Sequence, residues 1–275
     1  MLKSKYISLA VATWLASGLA ARADIRDTIQ NAKSGTTVTC SGTYTLTQTI
    51  SVPSGVTVKG PATFKWTTGS SGVNGFIIGT GISGVKLQSL TVQGAAHGIF
   101  IYGSGCTVSS CTSHDNTGSG FEIIGTGSKN NTFSSCVAYN NCDSSGGNAD
   151  GFSAKNNSST GNKFSNCTAH GNSDDGFDYY SASSPIVTSG CQSYSNGSCN
   201  GKTGNGVGFK MGGSGYSASH SFTSCVAHNS TGNTGSGFDS NNNGAKLYLT
   251  TCHSYSNKQK DRLVNVSLSN CTMQQ

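Results

Sequence analysis

The chain has 275 residues, of which 38 are glycine and 3 are proline, and a formal charge of +6. Helix formers are thin while Ser, Thr, Asn and Gly dominate, which argues against stacked helix pairs. No Lys/Arg-rich run is present, so no nucleic-acid partner is expected.

In chain order, Lys3 and Lys5 precede an apolar run from Ile7 to Leu19, and Ala21-Arg22-Ala23 is a small-residue cleavage site. Residues 1–23 therefore read as a secretory signal peptide, leaving 24–275 as one secreted, extracellular domain. The run is too short and too poorly flanked for a membrane anchor, so no membrane partner is expected. Loss of Lys3, Lys5 and Arg22 lowers the formal charge to +3. The segment 24–32 is predicted to form a short amphipathic helix that caps an open core. Residues 36–95 are predicted to form the first, less regular coils.

From there a phrase repeats: Ser109-Ser-Cys111-Thr-Ser-His, Ser134-Ser-Cys136-Val-Ala-Tyr, Ser165-Asn-Cys167-Thr-Ala-His, Ser189-Gly-Cys191-Gln-Ser-Tyr, and again at Cys225 and Cys252. A second phrase, Gly-Phe, alternates with it at Phe121, Phe152, Phe177, Phe209 and Phe238. Each Phe lies 14 to 16 residues before the next Cys, whereas the gap from Cys to Phe runs from 10 to 18. One half of the repeat is fixed and the other accepts insertions. Short alternating strands repeating at this period predict an all-β solenoid, a parallel β-helix. The Cys and Phe columns fill its core, with cysteine serving as a small hydrophobe. Five residues after Cys, Asn116, Asn141, Asn172, Asn196 and Asn257 predict an amide ladder at a bend. Three residues after Cys, His and Tyr alternate, which predicts a stacked outer ladder.

Chemistry concentrates in Ser173-Asp-Asp-Gly-Phe-Asp178, which holds three of the chain's 11 acidic residues. Aligned on Gly-Phe, Asp150 and Asp175 stack one coil apart, and Asp178 neighbours Lys210 of the next coil. Strict alternation points Asp174 away, so a bend or bulge is needed to bring it in. Asp150, Asp174, Asp175 and Asp178 make an all-oxygen anionic cage suited to a hard cation, Ca²⁺ outside the cell. The absence of Cys and His from these columns argues against zinc. Lys210, in Gly208-Phe-Lys-Met-Gly-Gly213, is either an ion-pair partner of Asp178 or, where a cation neutralises the cage, a general base. The two largest insertions, 137–151 and 192–208, flank this coil as candidate cleft walls. Each carries an off-ladder cysteine, and a Cys142–Cys199 disulfide is one pairing they allow.

The runs Asn148-Ala-Asp-Gly-Phe-Ser-Ala-Lys155, Ser173-Asp-Asp-Gly-Phe-Asp178, Gly208-Phe-Lys-Met-Gly-Gly213 and Gly237-Phe-Asp-Ser-Asn-Asn-Asn-Gly244 resemble the successive motifs of the pectate lyases of polysaccharide lyase family nine, over about residues 85 to 257. That resemblance implies a right-handed parallel β-helix and Ca²⁺-dependent cleavage of homogalacturonan by β-elimination. It implies Asp150, Asp174, Asp175 and Asp178 as calcium ligands and Lys210 as the base. The implied partner is a pectic polysaccharide, bound by a monomer, and the mild positive charge suits such a polyanion. Lys155, Lys202 and Lys246 read as solvated surface lysines in preference to substrate contacts. Two other readings stay open: a polygalacturonase-type hydrolase using paired carboxylates, and a non-catalytic β-helix that binds pectin or cell wall.

Overall fold

The computed structural model describes residues 24–67, 72–158, 160–213 and 215–275. The expected signal peptide lies outside the described residues. Among the described residues there is one short helix, α1 (Ile25–Gln30), starting at Asp24, whose side chain accepts the Arg26 N–H (3.0 Å). Ile29 of α1 is fully buried against the first coils, so the helix caps the core as its amphipathic pattern requires. No helix among the described residues is long and apolar enough to cross a membrane.

Apart from an antiparallel pair, Ser198–Cys199 with Lys202–Thr203, in the 192–208 insertion, the described strands pair in parallel in a stack of coils, a β-helix. One parallel sheet of eight strands runs from Ile50–Ser51 through Phe121–Ile124, Phe152–Lys155, Phe177–Asp178 and Phe209–Lys210 to Phe238–Asp239. A larger parallel sheet of 17 strands covers the remaining wall and turns a corner at each Cys. Before each ladder Cys the chain adopts the left-handed conformation, as at Ser110 (φ 51°), Ser135 (53°), Asn166 (52°) and Ser224 (53°). That turn separates the two strands of a coil, such as Thr107–Ser109 and Thr112–His114.

The columns assemble as the repeat predicts. Phe121, Phe152, Phe177, Phe209 and Phe238 are partners in the register, and their ring centroids lie 4.8 to 4.9 Å apart. This is the spacing of adjacent strands. The glycine before Phe is required by close approach: a Cβ on Gly176 would fall 2.0 Å from Ser193 Oγ and 2.8 Å from the Gly208 carbonyl oxygen. The ladder cysteines Cys111, Cys136, Cys167, Cys191, Cys225 and Cys252 are buried free thiols. Outside, His114, Tyr139, His170, Tyr194, His228 and Tyr255 stack in one continuous pile, 4.6 to 5.1 Å apart.

The asparagine ladder is buried and unbroken from Asn116 to Asn196; Ser230 takes the next place, its N–H donating to Asn257 Oδ1 (3.0 Å). Asn116, Asn141 and Asn172 each donate Nδ2 to Oδ1 of the next coil's asparagine at 2.8 Å. Asn172 Oδ1 also accepts the Asn141 backbone N–H (3.1 Å). Removing one rung orphans buried groups on both neighbours. Asn172→Ala is therefore expected to cost about 3 kcal/mol of stability, read as a lowered denaturation midpoint; a loss below about 0.5 kcal/mol would show that the ladder is not a stabilising element.

Candidate metal centre and its two lysines

Core phenylalanines point inward, so the residues after them face out. Phe100, Glu122, Ser153, Asp178, Lys210 and Asp239 form this outer column in successive coils. Asp178 and Lys210 are neighbours across one strand pair, as the alignment on Gly-Phe requires. Asp150 and Asp175 stack one coil apart, with the Asp175 N–H donating to Asp150 Oδ1 (3.2 Å) and the Gly151 N–H to the Asp175 carbonyl (3.0 Å).

Asp174 turns inward because it is not in a strand. The strand covers only Phe177–Asp178, and Ser173–Asp174 form a bend. The 192–208 insertion holds that bend: the Asn205 N–H donates to Asp174 Oδ1 (2.7 Å) and the Gly204 N–H to the Ser173 carbonyl (2.9 Å). Only glycine fits at 204, where a Cβ would lie 2.6 Å from Asp174 Oδ1. The 137–151 insertion packs on the same segment, and a Cβ at Gly146 would meet the Thr203 backbone at 2.6 Å. Cys142 and Cys199 meet here too, but both thiols are free and Cys142 Sγ donates to the Cys199 carbonyl (3.0 Å), so the disulfide considered from sequence is not formed.

Oxygens of Asp150, Asp174 and Asp175 come within 4.8 Å of one another, and all three side chains are buried. Asp178, expected as a fourth member, lies beside this trio and faces the lysines. Its Oδ2 accepts from Lys155 Nζ (2.9 Å) and Lys210 Nζ (3.5 Å), and its Oδ1 from the Tyr180 N–H (2.9 Å). Lys155 is not the solvated surface lysine that its sequence context suggested. It is mostly buried and also binds Asp150 Oδ2 (2.6 Å). The signal was present: Ala154 packs inward, so alternation along Phe152–Lys155 sends Lys155 outward toward Asp178. Lys210 lies nearer Asp175 (3.1 Å) than its expected partner Asp178, and its Nζ is 5.4 Å from the centre of the Tyr180 ring.

The electrostatics follow from burial. Complete burial pushes the Asp150 carboxyl up to about 7, only partly offset by Lys155. Burial also raises Asp175 well above the carboxylate range, against the pull of Lys210. Asp174 is raised by burial and restrained by the Asn205 N–H. For Asp178 burial acts the same way, but Lys155 and Lys210 outweigh it and keep its pKa low. Burial works to lower the Lys210 pKa, yet Asp178, Asp175, Asp150 and Asp174 together hold it above the usual lysine range. Lys155 is raised by the same competition, with Asp150 its main partner.

These residues fit a hard divalent cation. The donors are all oxygens, no two of them lie farther apart than ligands on a shared ion at about 2.4 Å each can be, and they contain no thiolate or imidazole. With all four carboxylates ionised, as ion binding requires, two ammonium groups leave two negative charges, which one such ion would balance.

The likeness to known proteins is consistent with this geometry. No curated protein matches the sequence. Among solved structures, the crystal structure of pectate lyase Pel9A superposes with a TM-score of 0.76 at 28% identity, covering 90% of this chain and 72% of that one. A rhamnogalacturonan lyase superposes with a TM-score of 0.72 at 23% identity, over 84% of this chain and 68% of that one. The endo-xylogalacturonan hydrolase of Aspergillus tubingensis shares the fold, with a TM-score of 0.57 at 15% identity over 91% and 88%. A family model described as the Pel9A-like, right handed beta helix region matches residues 16–270, and the chain belongs to that family.

Proposed function

We propose that this protein is a secreted, Ca²⁺-dependent pectate lyase of polysaccharide lyase family nine, cleaving homogalacturonan by β-elimination. One observation carries the reading: a mostly buried lysine, Lys210, adjoins an all-oxygen carboxylate cage that leaves two charges for a divalent cation. Asp150, Asp174 and Asp175 would hold the ion, with Asp178 beside them. When bound there, Ca²⁺ supplies an electrophile for the substrate's uronate carboxylate and for the charge that develops at C5.

Lys210 is the base. Four carboxylates keep its ammonium charged; neutralising the cage removes most of that attraction, while the burial that lowers its pKa remains. Neutral Nζ then takes the C5 proton. The C5 electron pair forms the C4–C5 double bond, the C4–O4 bond breaks, and the departing O4 gains a proton from water. Tyr180, 39% exposed and next to Lys210, offers a face for a sugar ring. Gly212 and Gly213 make room for Asn243 and for the Tyr180 ring, each of which a Cβ there would meet at 2.5 Å. A hydrolase with paired carboxylates is less well supported, because Asp150 and Asp175 are fully buried. Secretion is supported by the signal-like run that ends at Ala23.

Lys210→Ala is expected to lower the rate of unsaturated-product formation from polygalacturonate, followed in the ultraviolet, by about 10²- to 10⁴-fold. Undiminished lyase activity in that variant would refute the assignment, and chelation should abolish the activity of the unmodified protein.

The pH dependence of the cage has a definite sign. The folded pKa of Asp150, about 7, exceeds its ordinary 3.8, so the folded state prefers the protonated acid. Without a cation its contribution to stability is fully present below 3.8 and is lost as pH rises through about 7. Ion binding must displace that proton, so Ca²⁺ affinity measured by calorimetry should tighten by about tenfold or more between about pH 5 and about pH 8, with proton release at the lower pH. A pH-independent affinity would remove Asp150 from the ligand set.

A further inference from the structure

The outer column continues past Lys210. Asp239 follows it, and Arg262 follows Asp239 through an isolated parallel bridge. Asp239 repeats the arrangement of Asp178. Each comes directly after a core Phe, and each Oδ1 accepts the N–H two residues on, from Tyr180 (2.9 Å) and Asn241 (2.8 Å). Each Oδ2 accepts from a cation of the next coil, Lys210 or Arg262.

The two cations differ in what they leave free. Lys210 is 12% exposed, whereas Arg262 is 57% exposed although its partner Asp239 is buried. Arg262 gives Asp239 Oδ2 its Nε (3.0 Å) and its Nη2. A guanidinium has further N–H donors, and among the described residues Nη1 has no acceptor. Backbone bonds to Phe238 and Ser240 fix the residue on the column (3.0 and 2.9 Å). The guanidinium lines a cleft of about 270 Å³ together with Asp239, Ser240, Asn241, Asn242 and Val264.

We propose that Arg262 is a binding subsite for a second uronate carboxylate of the polysaccharide, two coils along from Lys210. This rests on the uronate-lyase reading above. Two coils span about 10 Å, too far for the sugar that Lys210 deprotonates, so Arg262 takes the carboxylate of a neighbouring sugar. The planar fork matches a carboxylate with two parallel N–H donors. Asp239 holds that fork in place before the substrate arrives, which reduces the ordering cost of binding.

The test measures trigalacturonate binding by calorimetry in Lys210→Ala protein, with Ca²⁺ present and Arg262 either intact or replaced. Arg262→Ala is compared with the pair Arg262→Met and Asp239→Asn, which leaves no buried carboxylate unpaired. Both are expected to weaken binding about tenfold, while binding of the fully methyl-esterified trimer stays unchanged. In otherwise unmodified protein the same changes should raise KM about tenfold and alter kcat by less than about twofold. Unchanged trigalacturonate binding in both variants overturns the subsite, as does an equal loss for acid and ester, or no binding with Arg262 intact. Absence of unsaturated product from the unmodified protein overturns the lyase reading instead, and the calorimetric comparison still decides whether Arg262 binds uronates.

Discussion

Parallel, in-register pairing from coil to coil places equivalent residues about 4.8 Å apart along the whole stack. Every other feature of the molecule depends on this spacing. It suits flat rings, and the phenylalanine column and the His/Tyr column stack almost face to face. It suits side-chain amides, which link one coil to the next through the buried asparagines. For carboxylates the same spacing is costly, because like charges out of water repel strongly. A column that repeats Asp must therefore find cations, and here it finds lysines.

The β-helix meets that demand in two ways. Along the outer column, a basic residue follows an acidic one, with Lys210 after Asp178 and Arg262 after Asp239. Lys155 enters the same face from the neighbouring coil and ties Asp150 to Asp178. The remaining excess of negative charge gathers at Asp150, Asp174 and Asp175, where the oxygens converge. The site is thus a local imbalance in an otherwise compensated ladder, which is the electrostatic condition for binding a divalent cation.

The insertions supply what the regular repeat cannot. A short strand alone would send Asp174 and Asp175 to opposite sides. The bend at Ser173–Asp174 escapes that rule because backbone groups of Gly204 and Asn205 hold it. Variation in the gap between Cys and Phe is therefore tied to the site and not only to loop tolerance. The fixed half of the repeat, from Phe to Cys, carries the packing, and the variable half shapes the place where chemistry is proposed.

The sequence by itself determined the coil architecture, because the Cys, Phe, Asn and His/Tyr columns are each set by a short period that only in-register stacking satisfies. It also determined that Asp150, Asp175, Asp178 and Lys210 would be neighbours, since register follows from alignment on Gly-Phe. Only the tertiary structure decided how the charges divide. That Asp178 faces two lysines, that Lys155 is buried among carboxylates, and that Lys210 leans toward Asp175 depend on side-chain directions and on partners 23 to 35 residues away. The inward turn of Asp174 was hidden for the same reason: it is set by an N–H donor in a distant insertion, and no local pattern in residues 173–178 encodes it.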